Sequence, residues 1–287
     1  MRDAMPPRGV PVWSAFVRIV ILLLAALVAG RAANAQTATP AFVQANESTP
    51  TASSSTATVP FAIMQSPGDL NVVIVGWHDS NVDVQSIVDS NGNVYSLAVG
   101  PTVFPGVATQ SIYYAPNIAA TIANTVTVTF TAPAAWADVR VAEYSGIDRV
   151  APLDAAAAGQ GSNGLSDSST LTTSSPTSLL VAANIVQSLV TEAGSGFTQR
   201  GATAPATDIL EDRVVTQQGT YNATAPVTPG VPWVMQLVAF RAASTVDGEP
   251  PTAPGTLTAT PISVSRIDLA WVASTDNVGV IAVALLE

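Results

Sequence analysis

The chain has 287 residues, 48% of them hydrophobic and only 10% charged; 20 acids face 10 bases, every base is Arg, and there is one His and no Cys. A net charge of −10 opposes nucleic-acid binding, which needs a basic face to neutralise phosphates. The missing Cys and Lys exclude a disulfide framework, thiolate metal sites, thiol nucleophiles and Schiff bases, and a lone His excludes a multi-His metal centre.

Residues 1–35 read as a secretory signal. Arg2 and Arg8 give a positive start, Ile19 to Gly30 is an uncharged and mostly aliphatic run, and Ala33-Asn34-Ala35 forms a cleavage site before Gln36. Arg31 ends the run well short of the ~20 apolar residues of a membrane span, so no membrane span is expected after signal removal. A secreted or cell-surface location follows. Removal of the leader leaves six Arg against 19 acids.

After residue 36 no apolar period of 3.6 persists, and short β-rich runs alternate with Gly, Pro, Asn, Asp and Ser. Residues 36–58 form a Ser/Thr-rich segment in which Ala41 to Gln44 has the pattern of a first strand. Leu70 to Val75 and Leu179 to Val186 are apolar on both faces, as central strands of a packed sheet are. Val84 to Val88 and Val94 to Val99 flank Asp89-Ser90-Asn91-Gly92-Asn93, a hairpin signal because Asn and Gly tolerate positive φ. Ser111 to Ala115, Asn124 to Thr131 and Trp136 to Ser145 are further strands. The expected fold is all-β, a large jelly-roll-like sandwich over 59–244.

Two echoes hint at duplication. Ser66-Pro67-Gly68-Asp69-Leu70-Asn71-Val72 is similar to Ser175-Pro176-Thr177-Ser178-Leu179-Leu180-Val181. Trp136 followed by Val141-Ala142-Glu143-Tyr144 is similar to Trp233 followed by Val238-Ala239-Phe240-Arg241.

Residues 245–254, with three prolines and two acids, form a stiff linker. Beyond it come Leu257-Thr258-Ala259-Thr260, Ile267-Asp268-Leu269-Ala270-Trp271 and Asp276-Asn277-Val278-Gly279. In that order they resemble the start of a fibronectin type III domain of exported bacterial proteins. The resemblance covers about 249–287, with the partial domain itself at 255–287. It implies an incomplete immunoglobulin-like sandwich, because seven strands and about 100 residues are needed and two to three strands are present. A truncated or frameshifted reading frame is the expectation. More loosely, Asn71 to Gly76 with Trp77, Ser90 to Tyr95 and Glu143-Tyr144-Ser145-Gly146 resemble β-sandwich modules that precede type III domains. That resemblance implies surface display or glycan contact and brings no catalytic residue.

Trp77, His78 and Asp79 are candidate ligand contacts, since an indole with polar neighbours can stack on a sugar ring; Tyr114 and Trp136 could extend such a platform. Asp79, Asp83, Asp89, Asn91 and Asn93 supply the oxygen ligands that Ca²⁺ takes, and are equally ordinary turn formers. Calcium is the only cofactor these residues suggest. Partners expected are an extracellular glycan or other surface domains. The overall reading is a non-catalytic surface or matrix module. The alternatives are a purely structural spacer, or a glycan hydrolase pairing Glu143 with Glu211 or Asp212 across a groove.

Overall fold

The computed structural model describes residues 38–48, 52–187, 189–190, 192–204, 207–244, 255–263 and 266–272. The signal segment, the linker and the Asp276-Asn277-Val278-Gly279 loop lie outside them. Every regular element described is a strand, and the sheets are antiparallel. Gln36–Thr245 forms one compact unit.

The first half of this body contains β1 (Ala41–Ser48), β2 (Ser54–Pro60), β3 (Leu70–Trp77), β4 (Val84–Asp89), β5 (Ser96–Phe104), β6 (Ala108–Ala115), β7 (Thr125–Ala134) and β8 (Asp138–Ser145). They form two sheets, ordered β1-β8-β3-β6-β5 and β2-β7-β4. The second half contains β9 (Leu153–Gly161), β10 (Leu165–Asp167), β11 (Leu171–Thr172), β12 (Ser178–Val186), β13 (Leu189–Val190), β14 (Thr198–Thr203), β15 (Asp208–Val215), β16 (Thr220–Tyr221), β17 (Thr224–Thr228) and β18 (Trp233–Arg241). Its sheets run β9-β18-β12-β15-β14 and β10-β17-β13, with a separate β11-β16 pair. The order is that of the first half, with β9 in the place of β1, β12 of β3 and β18 of β8. The sandwich is therefore doubled, each half interleaving its strands in the jelly-roll manner.

Alternation of side chains sorts the apolar residues into three layers of core. Val73, Val75, Trp77, Val139 and Val141 of the first five-stranded sheet meet Val59, Val126, Val128 and Phe130 of its small partner sheet. Leu180, Ala182, Met235 and Leu237 meet Leu171, Ala225 and Val227 in the second half. Between the halves, the two large sheets pack face to face, with Leu70, Val72, Ile74, Ile112 and Tyr144 against Leu179, Val181, Leu210, Val238 and Phe240. Both faces of β3 and β12 are buried, which is why they carry unbroken apolar runs.

The first echo in the sequence coincides with equivalent strands: Leu70 and Leu179 face the same inter-sheet core. The second is displaced by one residue. Leu70 pairs with Tyr144 and Leu179 pairs with Phe240, so Tyr144 is equivalent to Phe240 and Trp136 to Pro232. A one-residue slip in a strand would turn every side chain to the other face, and burial, not composition, fixes the register. Two other expectations change. β4 pairs with β7 while β5 pairs with β6, so Asp89 to Asn93 is a corner between two sheets and no hairpin. The Ser/Thr-rich segment supplies both β1 and the start of β2.

A buried ion pair lies between the large sheets. Arg140 is fully buried, its Nε 2.7 Å from Asp138 Oδ1. It donates across the interface to the Ile209 carbonyl at 2.7 Å and, within its own sheet, to Gln110 Oε1 at 3.2 Å.

Outside the body, β19 (Gly255–Ser263) and β20 (Arg266–Val272) form an antiparallel hairpin.

Replacing Arg140 with Ala would strand Asp138 without compensation. A loss of about 3–5 kcal/mol is expected in urea unfolding, with the joint D138N/R140M replacement costing less. A single-variant loss within experimental error of zero would contradict the assigned role.

Candidate functional site

The Asx-rich corner after β4 is built by hydrogen bonding. Asp89 Oδ1 accepts the backbone N–H of Asn91 at 3.1 Å and of Asn93 at 2.9 Å. Its Oδ2 accepts Asn93 Nδ2 at 2.8 Å, the Tyr95 hydroxyl at 2.9 Å and Asn124 Nδ2 at 2.9 Å. Burial alone would raise this carboxyl, but the donors from Asn124, Asn93 and Tyr95 outweigh it and hold the pKa below the ordinary value. The amide oxygens are spent as well. Asn91 Oδ1 takes Thr121 and Ile122 N–H groups, and Asn93 Oδ1 takes Ala119 N–H. These bonds fasten the 116–124 loop onto the corner.

The proposed calcium ligands are accordingly not brought together. Asp79 and Asp83 precede β4 and Asp89 ends it, about 20 Å away at the rise of a strand. Asp79 Oδ1 closes an Asx turn on Asn81 N–H at 2.6 Å. Among the described residues no cluster of three or more His, Cys, Asp or Glu side chains could hold a metal ion. The turn-former reading of these residues fits the geometry, and a shared calcium loop does not.

The aromatic candidates separate. Trp77 is 1% exposed; its Nε1 donates to the Val82 carbonyl at 3.0 Å and its ring meets Phe130 edge-on at 5.5 Å. It is a core residue with no face for a ligand. Tyr114 packs between the large sheets against Phe240, centroids 5.5 Å apart. It lies beside Val72, five residues along β3 from Trp77, about 16 Å from that strand's end, and forms no platform with Trp136. Trp233 is buried over Gly161, where an added Cβ would come within 2.5 Å of the indole, and it donates to Asn163 at 2.9 Å.

Trp136 differs from all of these. It occupies the β7–β8 turn with 55% of its surface exposed and φ at +48°. A bulky side chain in the left-handed region is strained. The neighbouring Ala135 carbonyl accepts His78 N–H at 2.8 Å, tying the end of β3 to this turn. His78 is half-buried with Nδ1 unpartnered. Burial lowers its pKa and the Asp138 charge opposes that shift, so the imidazole is neutral at pH 7. Asp79 follows, its carbonyl accepting the Thr109 hydroxyl at 2.6 Å. Of the five ligand candidates, Trp136, His78 and Asp79 share one end of the first sandwich.

The candidate carboxylates are buried and held by hydrogen bonds or an ion pair within the fold. Glu143 is fully buried, accepting Gln44 Nε2 at 2.6 Å and Ser66 N–H at 2.8 Å. Beside it Asp69 is pushed up to about 6 by burial, then by the Glu143 charge and a hydrogen bond to it. Glu211 accepts Gly194 N–H at 2.7 Å, leaves Oε1 unpartnered, and is pushed up to about 7, mainly by burial. Glu143 shares the face of Val139 and Val141, toward the first small sheet, and Glu211 shares that of Ile209, toward the second. Two large sheets separate them. Asp212 faces the layer between those sheets and is ion-paired to Arg200 at 2.8 Å.

Sequence reasoning missed the polar core around Asp89. Gln65, Asn71, Tyr95 and Asn124 form it, with Gln65 donating to Asn71 at 2.6 Å and Asn124 to Gln65 at 2.7 Å. The available signal was Asn71, a polar residue inside an apolar run. Fold and site define an all-β sandwich protein. No family model, curated protein or solved structure matches the chain.

The raised carboxyls set a pH dependence. Glu211 stays protonated in the folded state up to about 7, whereas the unfolded chain ionises it near 4.3. Its contribution to stability is therefore complete below about pH 4 and is lost as pH rises toward 7 and beyond. Replacing Glu211 with Gln keeps the Gly194 bond and removes the titration. Urea unfolding at pH 4.5 and pH 8 should show a wild-type decline that E211Q reduces by on the order of 2–3 kcal/mol. Parallel pH profiles would rule this out.

Proposed function

We propose that this protein is an exported, non-catalytic surface or matrix module whose double sandwich binds glycan at the β7–β8 turn. The observation that carries the reading is Trp136, an indole held in solvent on a strained backbone. Nothing in the fold requires a Trp there, since its equivalent in the second half is Pro232. Exposed aromatic faces stack on apolar faces of sugar rings, and the neutral His78 imidazole and Asp79 supply polar contacts of the kind that fix a ligand's orientation. The 1–35 leader supports export. The resemblance of about 249–287 to the start of a type III domain supports a place among surface proteins. Glu143 and Glu211, facing separate cores, give no support to glycosidic cleavage.

A glycan array with and without Ca²⁺ tests the reading directly. Binding is expected in both conditions and should weaken at least about tenfold on Trp136→Ala. Trp136→Gly should lose binding equally while keeping stability within about 1 kcal/mol of the parent, since Gly relieves the positive φ. An array without hits, or hits indifferent to Trp136, would favour the spacer reading.

A further inference from the structure

The six Arg residues beyond the leader are nearly all committed. Arg140 pairs with Asp138, Arg200 with Asp212, Arg241 with Asp154 and Arg266 with Asp268, at 2.7 to 2.9 Å. Arg149 donates to the Gly68 carbonyl at 3.2 Å with Asp69 in electrostatic reach. Arg213, near the end of β15, is different. Among the described residues its side chain makes no ion pair and no hydrogen bond, and it lies over the Tyr221 ring, 5.8 Å from the guanidinium carbon. Arg213 is half-buried as a residue while its guanidinium nitrogens reach solvent, and it lines a cavity of about 180 Å³ formed with Val214, Val215, Thr216, Gln217 and Tyr221. Gly196 leaves it room, because a Cβ there would lie 3.1 Å from Nη1.

A solvent-reachable guanidinium without an ion-pair partner among the described residues, in a chain of 20 acids and 10 bases, is free to pair with an anion. Guanidinium donors match a carboxylate in fork geometry. The remaining lining includes the Thr216 hydroxyl and the Gln217 amide, groups suited to hydroxyls, and the volume is below the roughly 300–1,000 Å³ of drug-sized pockets. We propose that this cavity binds the carboxylate of an acidic sugar, a uronic acid, through Arg213 against the Tyr221 ring. Trp136 adjoins the ends of β3 and β8 at Trp77 and Asp138, whereas Arg213 lies toward the strand ends marked by Leu179 and Val214. The two sites are therefore separate, and this one does not rest on the reading given for Trp136.

Calorimetric titration of the full chain with sodium glucuronate, glucose and sodium sulfate tests it. Glucuronate should bind one to one and glucose should not. Arg213→Gln should weaken binding at least about tenfold at an unchanged melting temperature, with Arg213→Lys intermediate because it keeps the charge and loses the fork. Absence of glucuronate binding, binding that R213Q leaves unchanged in a folded protein, or binding of sulfate alone would each overturn the proposal.

Discussion

Everything in the body depends on how its two large sheets meet, and at that interface the decisive group is Arg140. A guanidinium with no solvent contact must find every partner inside the protein. It takes one from its own strand, Asp138, one from β6, Gln110, and one from the opposite half, the Ile209 carbonyl. Ile74 pairs with Ile112 and Arg140, and its equivalent Ala183 pairs with Leu210 and Gln236. Arg140 therefore corresponds to Gln236, and Gln110 to Asp208. At one of these two equivalent places a guanidinium acts on Asp208, whose pKa is raised by burial and by Asp138 and lowered by Arg140. On the other side two amides bond, Gln110 to Gln236 at 3.3 Å and Gln236 to the Gln110 carbonyl at 2.9 Å. Two copies of either half would lose this complementarity. The polar centre makes the halves partners for each other.

The same arrangement protects the sheet edges. Exposed edge strands invite pairing with other chains, and here β1 lies against β14 and β5 against β9. Arg200 bridges the first seam, lying 4.2 Å over the Phe42 ring and paired with Asp212. The two ends of the body meet as well: Ala38 N–H donates to the Ala243 carbonyl, and the link between the halves is held by Asp148 N–H donating to the Arg241 carbonyl. With both large sheets committed to packing, variation is left to the turns at their ends, where Trp136 and the Arg213 cavity lie.

The fold class was legible because strand periodicity is local. Leu70 to Val75 and Leu179 to Val186 read as central strands and are. The doubling was half legible: the β3 and β12 echo is true, whereas the Trp136 and Trp233 echo is off by one. Identity of residue type cannot see which face is buried, and only pairing with Leu70 and Leu179 fixes that. The Asp89 corner shows the same limit. Its spacing suits a metal loop, a hairpin or a hydrogen-bonded corner, and the distant Asn124 and Tyr95 decide between them. Arg213 was invisible, because an unpaired charge is defined only once every partner is known, and several of these, Asp154 for Arg241 and the Gly68 carbonyl for Arg149, are distant in sequence.

The charge balance explains why one cation suffices for a local anion site. A strongly acidic surface repels anions at long range, but at physiological salt that repulsion is screened beyond about 8 Å. What remains within a half-buried cavity is the nearest charge, and there it is Arg213 beside Tyr221. The carboxylates themselves are largely withdrawn from such competition: Glu143 and Asp69 share one hydrogen-bonded pair, Glu211 faces a core, and Asp154 and Asp212 hold Arg partners. With these acids held in corners and ion pairs, the exposed aromatic and the unspent guanidinium stand out among the described residues as groups the fold itself does not use.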